Sequence, residues 1–80
     1  MARLRLFAQA REAAGTAEVS FHAATLGALL ATARAELGAE FSAVLDTSRV
    51  WVNGDEPDAG DQTPLVSDDE VAVLPPVSGG

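Results

Sequence analysis

Residues 18–38, EVSFHAATLGALLATARAELG, change period half-way, and that change decides the fold. Glu18 to His22 alternates, with Val19 and Phe21 to one side and Ser20 and His22 to the other, which is the repeat of a half-buried strand. From Leu26 the repeat lengthens. Leu26, Leu29, Leu30, Ala33 and Leu37 fall on one helical face, Thr25 stands where an N-cap is wanted, and Gly38 stands where a left-handed residue ends a helix. Gly27 and the many alanines keep the apolar stripe narrow and shallow, which suits a helix lying across one sheet rather than inside a bundle.

Upstream, Arg3 to Gln9 alternates too, with Leu4, Leu6 and Ala8 on one face and Arg3, Arg5, Phe7 and Gln9 on the other. With a turn over Glu12 to Thr16, the first two strands form an antiparallel hairpin. Downstream, Glu40 to Leu45 adds a short helical turn. Arg49 to Val52 is β-rich and runs into Asn53-Gly54, a strong turn signal. Asp55 to Asp69 holds two prolines, a glycine and six of the twelve acids, so it is expected to be loop with at most a short edge strand. Glu70 to Leu74 is the last strand, and it must stop at Pro75-Pro76, because neither proline has an amide hydrogen for a ladder.

This order predicts an α+β fold in which a mixed sheet is covered on one face by one main helix, with the first and last strands paired in parallel. That is the ubiquitin-like β-grasp arrangement. Residues 1–74 make the domain and residues 75–80 a flexible tail leaving a central strand. Nothing in the sequence covers the second face of the sheet, so that face meets water or a partner.

Composition narrows the function. Eighty residues support one small core and leave little room for a large cleft. Cysteine is absent, so neither a disulfide framework nor a thiolate metal site is possible. The charge is −7, and the five cations are scattered arginines with no lysine, which argues against nucleic acid and anionic membranes as partners. Met1 to Leu6 lacks the order of a secretory signal and no apolar run spans a membrane, so the expected location is cytoplasmic. His22 has no serine or acid partner nearby in sequence and reads as solvated. Asp55, Glu56, Asp58 and Asp61 miss the spacing of a calcium loop, Asp68, Asp69 and Glu70 read as turn solvation, and no metal is assigned.

Alternation lists what points away from the helix: Phe7 with Arg3 and Arg5, then Trp51 if Val50 and Val52 face inward, then Ala72 and Leu74 if Val71 and Val73 do. Phe7, Trp51 and Leu74 then form an apolar patch rimmed by charge, typical of a protein interface. A slip of one residue in the third strand would exchange the faces and place Trp51 in the core.

The chain ends Pro75-Pro76-Val77-Ser78-Gly79-Gly80. Six extended residues reach on the order of 20 Å, and two terminal glycines make a tip thin enough for another protein's narrow channel. A terminal carboxylate is ionised at neutral pH and is a poor electrophile. Acyl chemistry at Gly80 therefore needs activation, for example as a mixed anhydride with AMP. This chain has no phosphate-binding loop, so the catalyst is another protein. Without such a partner, a glycine-rich end is simply frayed.

Leu6-Phe7-Ala8-Gln9-Ala10-Arg11-Glu12 followed by Gly15, the Val52-Asn53-Gly54 turn, Asp69-Glu70-Val71-Ala72 and the ending Pro75-Pro76-Val77-Ser78-Gly79-Gly80 resemble the MoaD family, the small subunits of molybdopterin synthase, over the full length. The resemblance implies a sulfur carrier and sulfur-donating subunit whose active site lies on a large partner. An E1-like, ATP-dependent enzyme adenylates Gly80 and a sulfur donor converts it to a thiocarboxylate. The large subunit then takes in the tail, with Gly79 keeping it narrow, and the sulfur passes to cyclic pyranopterin monophosphate on the way to the molybdenum cofactor. No bound cofactor is implied, only a transient glycyl adenylate and thiocarboxylate. The implied interface uses Phe7, Trp51, Leu74, Pro75, Pro76 and Val77, and the implied assembly is a heterotetramer of two small and two large subunits. Asp55-Glu56 after the turn and the bulk of Trp51 depart from what the family leads one to expect.

Three rivals share the fold. A ubiquitin-like modifier ends with Gly80 in an isopeptide bond, although the absence of lysine forbids side-chain-linked chains of copies. A sulfur carrier for another product, such as the thiamin thiazole, shares the Gly-Gly end. A binding module with an inert tail is the structural alternative.

Overall fold

The computed structural model describes residues 1–76. Its elements are β1 (Ala2–Leu6), α1 (Ala8–Ala14), β2 (Glu18–Phe21), α2 (Leu26–Leu37), α3 (Ala39–Asp46), β3 (Arg49–Val52), a 3-10 turn (Gly60–Gln62) and β4 (Glu70–Leu74). The four strands form one sheet in the order β2-β1-β4-β3. β1 and β4 are parallel at its centre, while β2 and β3 lie antiparallel at the edges. This is the expected mixed β-grasp sheet.

The inner face is built from alternate strand residues. Leu4 and Leu6 of β1 and Val71 and Val73 of β4 stand side by side in register and are fully or almost fully buried. Leu26, Leu29 and Ala33 of α2, Phe41 and Leu45 of α3, and Ala10 of α1 close over them. Each such large side chain contributes about 1.5–3 kcal/mol by leaving water, and Phe41 is the largest fully buried one. No polar or charged residue is buried among the described residues.

Local signals explain most boundaries. Thr25 caps α2, its hydroxyl oxygen accepting from the Ala28 N–H at 3.2 Å. Gly38, at φ 97°, ends α2 and starts α3 in one step. Arg34 ties the two helices by donating to the Ser42 carbonyl at 3.1 Å and pairing with Asp46 at 2.8 Å. Asn53 and Gly54 take φ 52° and 86°, the pair of left-handed residues that a tight hairpin turn requires, and Val52 and Asp55 exchange backbone bonds across them.

The structure corrects the sequence at two places. β1 stops at Leu6, and the segment expected to be strand end and turn is the helix α1. Ala8 to Ala14, AQAREAA, contains only strong helix formers, and Gly15 closes it at φ 76° with its N–H donated to Arg11 O. The alternation that continues to Gln9 is accidental, because alanine fits either period. Glu40 to Leu45 is also more than a turn, since α3 runs from Ala39 to Asp46. The 55–69 segment is loop as expected, with short pairings at Thr25–Pro64 and Val52–Asp55.

Candidate functional site

The outer face of the sheet follows from its register. Trp51, Ala72 and Arg5 are neighbours across β3, β4 and β1, and Glu18 of β2 completes the row. Arg49 lies beside Leu74, and Arg3 lies between Glu70 and Ser20. Val50 and Val52 pair with the buried Val73 and Val71, so Trp51 points away from the helices. The register that leaves Trp51 outward is the one adopted, and the alternative that buries it is not.

Phe7 belongs to this face by a different route from the one expected. It lies past the end of β1, between the strand and α1, and is 39 % exposed. Leu6 pairs with Val73, so the residues that follow them, Phe7 and Leu74, lie at the same end of the sheet. Pro75 continues from Leu74 at that end, half-buried, and Pro76 is exposed. Val77, Gly79 and Gly80, expected to contact a partner or carry the chemistry, lie outside the described residues.

Charge on the face is arranged as a ladder across strands. Glu70 lies 3.8 Å from Arg3 and 3.6 Å from Arg5, and Glu18 lies 4.0 Å from Arg5. All four side chains are partly exposed, so the pairs add little stability but fix where the guanidinium groups stand. The Arg5 guanidinium carbon sits 5.7 Å from the centre of the Phe7 ring, within cation–π range. The Nε1 of Trp51 is buried and finds no partner among the described residues. The face is therefore apolar toward the tail and ion-paired toward β2.

Nothing else on the described surface competes as a reaction centre. No pocket opens on it, and among the described residues no three His, Cys, Asp or Glu side chains converge as metal ligands. His22 is exposed just past β2. Sequence reasoning missed the role of Ala8, whose φ of 48° turns the chain out of β1; no residue type announces a strained alanine. The contact of Arg5 with Phe7 was also hidden, because the strand ends at Leu6, three residues earlier than the alternation suggested.

A core face under three helices, an uncovered face with apolar residues at the tail root, and a proline-led tail from a central strand are the architecture to be compared. The ThiS family matches residues 4–80. The chain belongs to the ThiS family. Among solved structures, SAMP1 from Haloferax volcanii is 31% identical with a TM-score of 0.85, over 99% of this chain and 98% of that one. The small archaeal modifier protein 1 (SAMP1) from Methanosarcina acetivorans is 28% identical with a TM-score of 0.86, over 99% and 95%. Subunits 1 and 2 of the molybdopterin-converting factor from Helicobacter pylori 26695, solved as a protein–protein complex, include a match at 24% identity and a TM-score of 0.76, over 99% and 97%, a likeness of fold alone. No curated protein matches. This member of the ThiS family thus has the ubiquitin-like β-grasp fold of sulfur carriers and small modifiers, and no helix among its described residues is long and apolar enough to cross a membrane.

Proposed function

We propose that this chain is the sulfur-carrier subunit of a molybdopterin synthase and that its chemistry resides at Gly80. The Gly80 carboxylate attacks the α-phosphorus of ATP on an E1-like enzyme, pyrophosphate leaves, and a sulfur donor then displaces AMP to give the thiocarboxylate. The large subunit docks on the outer sheet face, receives the tail, and supplies the acid–base groups that pass sulfur to cyclic pyranopterin monophosphate in the cytoplasm. Two small and two large subunits make the assembly.

The observation that carries this reading is the join between face and tail. Phe7, Leu74 and Pro75 cluster where the central strand releases the Pro-Pro-Val-Ser-Gly-Gly segment, in a family whose fold is that of sulfur carriers. A lysine-free, cysteine-free chain without a pocket among its described residues fits a donor that is handled by other proteins.

A second reading stands equally well, because a SAMP1 structure at 31% identity is that of a small modifier protein. In it, the same adenylate is captured by a target lysine. A carrier for another sulfur product is the remaining variant of the first reading. Intact-mass analysis of the chain isolated from its own cells separates the classes. The carrier reading expects a population in which sulfur replaces one oxygen, and that form, mixed with the large subunit and the pterin precursor, yields molybdopterin. Covalent adducts with other proteins and no thiocarboxylate would select the modifier, and product formed after deletion of Gly80 would refute the mechanism.

A further inference from the structure

Asn53 and Gly54 close the turn after β3, and they also set an amide beside a backbone nucleophile. An asparagine followed by glycine is open to cyclisation, because glycine has no side chain to hinder attack of its nitrogen on the neighbouring Cγ. Both residues are exposed, and nothing lies within 4 Å of where a Cβ on Gly54 would stand. The Gly54 N–H finds no acceptor among the described residues, since Val52 and Asp55 make the bonds that close the turn. The nucleophile is therefore free.

The electrophile is held. Asn53 Oδ1 accepts from the Glu70 N–H at 2.9 Å, and Asn53 Nδ2 donates to Asp69 Oδ1 at 3.0 Å, so both ends of the amide are tied to the start of β4. Ring closure needs the amide plane to turn toward Gly54 N, Cγ to become tetrahedral and Nδ2 to depart, and these steps break the clamp. Asp69 gives the departing nitrogen no help. The Val66 N–H first, then Asn53, keep its carboxyl ionised at neutral pH, so it accepts hydrogen bonds and has no proton to donate.

We propose that Asn53 is a latent self-hydrolysis site, kept unreacted by the clamp that Asp69 and the Glu70 N–H form on its side-chain amide. When the clamp opens, Gly54 N bonds to Cγ, its proton goes to water, the Cγ–Nδ2 bond breaks and ammonia leaves, giving a five-membered cyclic imide. Water then adds to one imide carbonyl, yielding an aspartate at position 53 or an isoaspartate whose backbone runs through the side-chain carbon. The net change is amide plus water to carboxylic acid plus ammonia, with no other reactant. Neither product restores the clamp. An aspartate has no N–H for Asp69 and puts a second carboxylate where Nδ2 now lies 3.0 Å from the first. An isoaspartate adds a backbone carbon to a two-residue turn whose length fixes the strand register. The reaction is thus one-way, and it loosens the end of the strand that carries Trp51 two residues upstream. It is independent of what happens at Gly80.

The test incubates the full chain in neutral buffer and follows its intact mass for the exchange of an amide NH2 for OH, with peptide mapping to place the change at position 53 and thermal melting in parallel. The folded wild type reacts at least about tenfold more slowly than the same chain in urea, where the clamp is absent. Asp69→Ala reacts about tenfold faster than the wild type, as expected for one lost hydrogen bond to a charged group. Phe41→Leu melts lower because it thins the core, yet it leaves the clamp intact and reacts at the wild-type rate. Equal rates for the wild type with and without urea overturn the proposal, and this comparison decides even if Asp69→Ala does not fold. A wild-type rate in Asp69→Ala overturns the role of the carboxylate. Equal acceleration in Phe41→Leu assigns the protection to the fold as a whole and overturns the clamp. No mass change at position 53 in urea overturns the site itself.

Discussion

Asp69 joins two parts of the chain through one carboxylate. Its Oδ2 accepts from the Val66 N–H at 2.8 Å and its Oδ1 from the Asn53 side-chain amide at 3.0 Å, while Asn53 Oδ1 accepts from the Glu70 N–H at 2.9 Å. The Val66 bond first, then that of Asn53, hold the Asp69 carboxyl below the usual range. A depressed folded-state pKa contributes stability that is present above the unfolded value of about 3.9 and is lost as pH falls through the lower folded value. Asp69→Asn is therefore expected to unfold more easily than the wild type at pH 7, with the gap closing in acid. Denaturant midpoints at pH 7 and below pH 4 check this, and a gap independent of pH would contradict it. In the sequence Asp69 reads only as turn solvation, because its partner Asn53 is sixteen positions away and only the β3–β4 pairing brings the two together.

At the scale of elements, α2 shows how a local rule can fail in sign. By helix propensity alone, Gly27→Ala should stabilise by about 1 kcal/mol. In the fold, a Cβ at Gly27 would lie 2.9 Å from Asp61 Cβ and 3.1 Å from the Asp61 carbonyl oxygen. The 3-10 turn is fastened there, with Leu26 N donating to Thr63 O and Leu65 N donating to Ala24 O, both at 2.9 Å. Gly27→Ala is expected to lower stability by about 1 kcal/mol net, overpacking outweighing propensity, as measured by chemical unfolding. A stabilised variant would show that the turn yields. The start, end and buried stripe of α2 were legible from Thr25, the leucines and Gly38. α1 was not, because Ala8 and Ala10 satisfy a strand pattern and a helix pattern alike, and only packing of Ala10 into the core selects the helix.

At the scale of the molecule, one small core carries the fold and one segment carries the charge. Phe41 is fully buried at the meeting of α3 with the sheet. Phe41→Ala is expected to cost about 3–5 kcal/mol, most of what a domain of this size has, and to lower the melting midpoint by more than about 10 °C, as read by circular dichroism. A smaller shift would mean that the helices close over the gap. The first 49 residues carry five arginines and five acids, so they sum to zero, and the whole −7 comes from the acids between Asp55 and Glu70. β3 and β4 bracket this loop and pair Val52 with Val71 at the end of the sheet opposite Leu74, so Asp55 and Asp69 flank that end, while Glu70 alone of these acids joins the ladder with Arg3 and Arg5.

The sequence by itself determined the switch from strand to helix at residues 18–38, the central last strand that must stop at Pro75, and the outward side of each strand, because these depend on periodicity and on groups that proline lacks. It also carried the tail motif that points to a sulfur carrier. Tertiary structure decided where β1 ends, that Ala8 takes a left-handed turn, and that Phe7 stands at the tail root under Arg5. Those outcomes are set by contacts between segments far apart in the chain, Leu6 with Val73 and Ala10 with the rest of the core, whose burial outweighs the weak local preference of an alanine, while the pairs of Arg5 with Glu70 and Glu18 only place its guanidinium.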